Sequence, residues 1–242
     1  MKNINKLFTL PALLLCISIN AEPFDSTYIA KPSATSLLKN ANIYDGEGNE
    51  FFGYDLLIVN GKIEAIGLNL LSIKDNTVEY DLSGMWVTPG IIDLHSHMGV
   101  YSAPGVKSSS DGNESTSPVT ADVWAEHSVW TQDPQFSLAL QGGVTTFHVL
   151  PGSANLIGGR GTTFKNVQSN TIQGMKFPDA PHSLKMACGE NPKRVYGSRR
   201  QAPSTRMGNI AGYRKAWIKA SKYRQNMNTY ESKSAEAKEI VS

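Results

Sequence analysis

The chain has 242 residues, of which 40% are hydrophobic, 23 are basic and 21 are acidic. This balance is typical of a globular protein and argues against a disordered or strongly charged chain. A nearly neutral protein offers no extended phosphate-binding surface, so we expect no nucleic acid among its partners.

The first 21 residues have the pattern of a secretory signal peptide. Lys2 and Lys6 precede the apolar run LFTLPALLLCISI, and the small residue Ala21 stands before Glu22. The run is shorter than the roughly 20 residues that span a bilayer, so we expect no stable membrane span. We therefore predict cleavage after Ala21 and a secreted or periplasmic protein. Cys188 is the one cysteine that remains after cleavage, which leaves no intramolecular disulfide.

The region that follows predicts a linker and then a small β-sheet module. Residues 22–35 are polar and contain proline, as expected of a linker. Residues 36–85 alternate β-rich runs with turn residues. Within them, DLLIVNGKIEAIG predicts two strands joined by Asn60 and Gly61, the strongest short-range signal of a hairpin. Too few strands are visible to close a sandwich, so we expect this module to need partner strands from elsewhere.

The pattern changes in residues 86–242, where strand-like and helix-like segments alternate. IIDLH (91–95) is a continuous apolar run, typical of a strand buried on both faces of a parallel sheet. Further elements are predicted as a helical segment at 120–143, strands at 144–150 and 183–190, and an amphipathic helix from Ser204 or Thr205 onward. The alternation predicts an α/β fold built from βα units.

Two histidines end the IIDLH strand. His95 and His97 are two residues apart, so both side chains project from one face of the strand, with Asp93 on that face below them. At the C-terminal end of a barrel strand, two imidazoles in this arrangement can hold one divalent metal ion. The alternative is a pair of surface or hydrogen-bonded histidines with no metal.

The wider pattern resembles the amidohydrolase superfamily. The β-module, VTPGIIDLHSH, GGVTTFHVLPGSANLIGGRG and LKMACGENPKRVYG are similar to the branch that includes imidazolonepropionases and periplasmic dipeptidase-type enzymes. The resemblance implies an incomplete metal-dependent (β/α)8 TIM-type barrel over residues 86–242, preceded by part of a small β-sandwich over residues 36–85. It further implies hydrolysis of C–N bonds in amides, cyclic amides or dipeptides by metal-activated water, with His95 and His97 as ligands of a divalent metal, most simply zinc.

The resemblance also implies a third ligand from a middle strand, either a glutamate or a carboxylated lysine. Lys185 and Glu190 are the two candidates in SLKMACGE. If the strand runs the length of this segment, Glu190 lies at its C-terminal end, where the site of a barrel is built. We therefore predict Glu190 as the third ligand and keep carboxylated Lys185 as the alternative.

Arg160 and His148 are two further candidate site residues, in or near the predicted strand 144–150. We expect PGSANLIGGRG to form a loop at the catalytic rim, where Arg160 could bind a substrate carboxylate. His148 lies inside a β-branched run, which favours a packed, hydrogen-bonded histidine over a ligand.

The family's general-base aspartate has no counterpart in this sequence. After His182 there is neither a histidine nor an aspartate, so we expect that base to lie beyond Ser242, in a longer protein. About 155 residues follow residue 86, against about 250 for a complete barrel. The alternative function is a non-catalytic half-barrel that binds metal or a partner chain, and either reading predicts self-association or pairing with a missing half.

Overall fold

The structure is a computed structural model that describes residues 23–72 and 76–241, with the backbone alone from 235 onward. The predicted signal peptide therefore lies outside the described residues. Among the helices that are described, none is long and apolar enough to cross a membrane.

The first sheet has five strands and contains the predicted hairpin. Its strands are β1 (Ser36–Tyr44), β2 (Glu50–Val59), β3 (Lys62–Gly67), β4 (Val78–Asp81) and β5 (Trp86–Val87). The order is β3-β2-β1-β4, and β5 pairs with the far end of β1. Asn60 and Gly61 join β2 to β3 with φ of 50° and 74°, the left-handed backbone that a tight hairpin turn requires.

The second sheet has four strands in the order β6-β7-β8-β9. They are β6 (Ile91–Ser96), β7 (Val144–Val149), β8 (Ile157–Lys165) and β9 (Ser183–Met186). Strands β6 and β7 are parallel, and β8 runs antiparallel to both β7 and β9. The later half of β8 pairs with β7 and its earlier half with β9, so β9 lies beyond the C-terminal end of β7.

One face of this sheet is packed and the other is concave. Phe147, Val149 and Phe164 are buried against Phe136 and Val100, which form the larger apolar core. Because alternate residues of a strand face opposite sides, their neighbours on β7, β8 and β9 project from the other side of the sheet. The whole is a mixed α/β fold whose second sheet curls into a half-barrel.

The helices are α1 (Gln135–Gln141), α2 (Glu190–Gly197) and α3 (Arg206–Val241). The helix predicted from Ser204 or Thr205 is confirmed, since α3 begins at Arg206. The helical prediction for 120–143 is wrong over most of its length: a short 3-10 helix spans Ala125–Ser128, and only α1 is α-helical. The Asp133 carboxylate accepts hydrogen bonds from backbone amides of Gly99, Ala103 and Gln135, which hold the preceding chain in an irregular path.

Three further expectations differ from the structure. Part of the predicted linker is docked, because the Phe24 amide donates to the Glu126 carboxylate. Strand β6 is exposed rather than buried on both faces, with Leu94 74% exposed, since the described residues leave this side chain uncovered. The predicted rim loop PGSANLIGGRG enters β8 at Ile157, because β7 and β9 supply partners for its backbone.

Candidate metal centre

The two histidines of the HSH segment lie together at the C-terminal end of β6. Their ring centroids are 5.2 Å apart and the planes are nearly perpendicular, at 83°. The Asp93 carboxylate accepts a hydrogen bond of 3.0 Å from the His95 amide and braces the end of the strand. The i, i+2 spacing therefore brings two imidazoles to one point, as the sequence predicts.

A backbone carbonyl sets the tautomer of His97. Its Nδ1 lies 2.8 Å from the Leu150 carbonyl oxygen, which follows β7. A carbonyl can only accept, so Nδ1 carries the proton and Nε2 keeps a free lone pair. This is the arrangement in which a histidine binds a metal through one nitrogen while the other is held by the protein.

The third side chain at this point is Lys185, on β9. Its Nζ lies 3.0 Å from Nε2 of His95, a contact made across the concave face from one edge of the sheet to the other. The positive charge of Lys185 is the main cause that lowers the pKa of His95, with burial and His97 contributing and Asp93 opposing. Burial lowers the pKa of Lys185 itself.

Glu190 does not join the histidines, which corrects our choice of third ligand. The strand ends at Met186, and Glu190 instead opens α2, where its side chain is 77% exposed and its Oε1 lies 3.6 Å from Nε of Arg194. Residues 23–72 and 76–241 contain no group of three or more histidine, cysteine, aspartate or glutamate side chains that could hold a metal. The C-terminal end of β9 is thus occupied by Lys185 and not by Glu190.

Arg160 also lies elsewhere than expected. It is on β8 opposite Leu184, between Gly159 and Gly161, so it projects from the face opposite to Lys185. Its guanidinium lies 4.7 Å from the centroid of the Trp124 ring, and its Nε donates a 3.4 Å hydrogen bond to the Ala121 carbonyl. The side chain packs on the outer surface and does not face the histidines.

His148 is the hydrogen-bonded histidine that its β-branched surroundings predict. Its Nδ1 lies 2.8 Å from Oγ1 of Thr163 and its Nε2 lies 2.6 Å from Oγ of Ser183. Burial, and then the neighbouring His182, lower its pKa. Sequence analysis missed Thr163 and Ser183; the alternation in SLKM, which places Ser183 and Lys185 on one face, was the available signal for Ser183.

A cavity of about 430 Å³ is lined in part by the loop after β7 and the start of β8. Its wall includes Pro151, which follows the carbonyl that binds His97, and Gly158, where a Cβ would lie 3.8 Å from Cγ of Lys185. Other lining residues are Asp111, Asn113, Glu114, Asp122 and Trp124. Val100 and Ala125 of the larger apolar core also line the cavity, whereas His95, His97 and Lys185 do not.

Comparisons with known proteins support one family. No family model matches the chain. It is 32% identical over 219 residues to Amidohydrolase tasK of Hapsidospora irregularis, covering 80% of this chain and 22% of that protein. It is 42% identical over 71 residues to a dihydroorotase of Ligilactobacillus salivarius, covering 29% of this chain and 15% of that enzyme.

One solved structure is similar to this chain in fold as well as in sequence. The amidohydrolase from Thermotoga maritima is 41% identical, with a TM-score of 0.73 over 80% of this chain and 49% of that one. The curled second sheet and this likeness define a protein of the mixed α/β class. The chain belongs to the amidohydrolase superfamily. It spans about half of the Thermotoga chain and about a fifth of the tasK protein.

Proposed function

We propose that the protein is a metal-dependent hydrolase that cleaves C–N bonds in a small-molecule amide, cyclic amide or dipeptide. The observation that carries this proposal is the 3.0 Å approach of Lys185 Nζ to His95 Nε2, next to His97. The relatives named amidohydrolase and dihydroorotase support the reaction class.

The side chains fit a divalent cation if Lys185 carries a carboxyl group. A protonated lysine has donors only and cannot bind a metal. Its neutral amine can attack carbon dioxide, forming an N–C bond and releasing one proton, and the resulting carbamate is an anionic oxygen ligand. Two imidazoles and such an oxygen form a donor set that suits zinc, which accepts nitrogen and oxygen ligands.

Each side chain then has a separate task. His95 and His97 would bind the cation through Nε2, the Leu150 carbonyl would keep His97 in the required tautomer, and the Lys185 carbamate would supply the negative charge. When bound, the cation would supply Lewis acidity toward a carbonyl oxygen and a water molecule of lowered pKa.

Zinc binding by matched variants tests the proposal. We expect zinc binding by the unmodified chain to strengthen in bicarbonate, and to be lost in Lys185→Met. Glu190→Gln is the control and should bind as tightly as the unmodified chain. Loss of zinc binding in Glu190→Gln, with Lys185→Met unaffected, would reject this ligand set.

We further propose two features of the surrounding protein. The curled sheet is part of a (β/α)8 barrel and the first sheet part of a β-sandwich, and the TM-score of 0.73 to the Thermotoga amidohydrolase supports the barrel. Residues 1–21 are a secretion signal, so the protein acts in the periplasm or outside the cell; the basic residues and short apolar run support this. Mass spectrometry of the exported protein should give Glu22 as its first residue, whereas a chain that keeps Met1 contradicts export.

A further inference from the structure

The direction of Lys185 depends on a short strand with little side-chain support. Strand β9 has four residues and pairs with β8 alone among the described strands. Its two concave-face residues, Ser183 and Lys185, lie opposite Gly161 and Gly159. Neither glycine offers a side chain against which the lysine could pack, so its position must be fixed in another way.

The side chain of His148 on β7 forms a hydrogen bond, across β8, with the side chain of Ser183 on β9. His148 Nε2 lies 2.6 Å from Ser183 Oγ, and Thr163 Oγ1 holds the other ring nitrogen at 2.8 Å. Both hydroxyls can donate and accept, so the chain of hydrogen bonds is complete in either tautomer of His148. Ser183 is two residues before Lys185 on the same face of β9, so fixing Ser183 fixes the strand that carries the lysine.

Gly161 provides the space for this hydrogen bond. A Cβ at this position would lie 2.6 Å from Ser183 Oγ and 2.8 Å from His148 Nε2. Both distances are shorter than a non-bonded contact allows. Any other residue at 161 would have to displace the serine or the imidazole.

We propose that His148, Ser183 and Gly161 are positioning residues that hold Lys185 against His95. This inference rests on the proposed function, because it concerns the lysine that would carry the carbamate. The three residues act through β9 and touch neither substrate nor metal. Loss of the hydrogen bond leaves the fold in place and loosens the lysine, so the fraction of Lys185 that is carboxylated and the affinity for zinc both fall.

Zinc affinity and carbamate content test the proposal together. In Ser183→Ala and Gly161→Ala we expect zinc affinity in bicarbonate to fall about 10- to 100-fold, the usual effect of losing a group that orients a ligand. The carbamate signal in the ¹³C NMR spectrum with labelled bicarbonate should weaken in parallel. Ser183→Thr keeps the hydroxyl and should restore both. Thr146→Val is the control, since Thr146 lies on the same face of β7 as His148, outside the hydrogen-bonded group.

A metal-free measurement separates this inference from the proposed function. With neither zinc nor bicarbonate, the rate at which acetic anhydride modifies Lys185, followed by mass spectrometry, should rise several-fold in Ser183→Ala and Gly161→Ala and stay unchanged in Thr146→Val. If the unmodified chain binds no zinc, the proposed function fails, and these rates still decide whether the lysine is held. If zinc binds but both variants match Thr146→Val in affinity, carbamate signal and modification rate, the positioning role is wrong.

Discussion

His97 forms a hydrogen bond with the Leu150 carbonyl through Nδ1, and we propose that it binds metal through Nε2. A single substitution can separate these two roles. In His97→Asn, the amide nitrogen can take the place of Nδ1 and keep the hydrogen bond to Leu150, while no atom replaces Nε2. We expect the free energy of unfolding of the metal-free variant to stay within about 0.5 kcal/mol of that of the unmodified chain, because the hydrogen bond is retained. Zinc affinity should fall by about 100-fold or more, because a ligand is lost.

Calorimetry with zinc and thermal unfolding measure these two effects on the same sample. His97→Ala is the matched control, since it removes both nitrogens and should lose stability as well as zinc affinity. Unchanged zinc affinity in His97→Asn would show that His97 is not a ligand.

Burial of His148 makes stability depend on pH with a defined sign. Its pKa is lowered in the folded protein, so below about pH 6.5 the unfolded chain binds a proton that the folded chain does not. The free energy of unfolding should therefore fall as pH drops from about 6.5 toward the lower pKa of the folded state, and then level off.

Urea denaturation between about pH 7.5 and about pH 5 gives the measurement. His148→Gln keeps polar groups at the site and removes the titration, so its stability should change less over the same interval. Parallel curves for the two proteins would contradict the assignment to His148.

At the scale of elements, one buried ion pair joins three separate segments. Lys176 Nζ lies 2.7 Å from Glu126 Oε2, with the two side chains 8% and 0% exposed. Glu126 lies on the 3-10 helix and also accepts from the Phe24 amide, while Lys176 donates to the Phe24 carbonyl. Lys176→Met leaves the Glu126 carboxylate buried without its lysine, which costs about 3–5 kcal/mol of stability.

An exposed pair supplies the control for this prediction. Lys39 Nζ lies 3.8 Å from Glu79 Oε2 at the surface, and Lys39→Met should change stability by less than about 1 kcal/mol. Urea denaturation of the two variants compares the pairs directly. Equal losses would show that Lys176 and Glu126 are not paired away from water.

Elements formed by local sequence could be predicted, whereas those that depend on distant strands could not. The turn at Asn60 and Gly61 and helix α3 follow from their own residues. Strand β8 carries glycines that favour a loop, yet β7 and β9 pair with it from both sides. At the candidate site, the His95 and His97 pair is a local alternation, but the choice between Lys185 and Glu190 depended on where β9 ends.

At the scale of the whole molecule, β6 and α3 carry two of the apolar surfaces that the described chain leaves uncovered. The first is on β6, an edge strand of its sheet among the described residues, where Ile91, Ile92 and Leu94 are exposed. The second is on α3, with Trp217, Ile218, Tyr223 and Tyr230 exposed. Exposed strand edges and contiguous apolar patches favour association, because burying them removes apolar area from water and pairs free backbone groups.

We therefore expect residues 22–242 to self-associate, or to require a second chain that supplies covering strands. Sedimentation velocity should show a sedimentation coefficient that rises with protein concentration. Leu94→Glu places a charge on the exposed part of β6 and should weaken this dependence, since a charge on an edge strand opposes pairing. Ile29→Glu is the control: Ile29 is 85% exposed but lies outside both sheets, so its replacement should leave association unchanged. A chain that sediments as a monomer at every concentration contradicts the prediction, and equal effects of the two substitutions would show that β6 is not the associating surface.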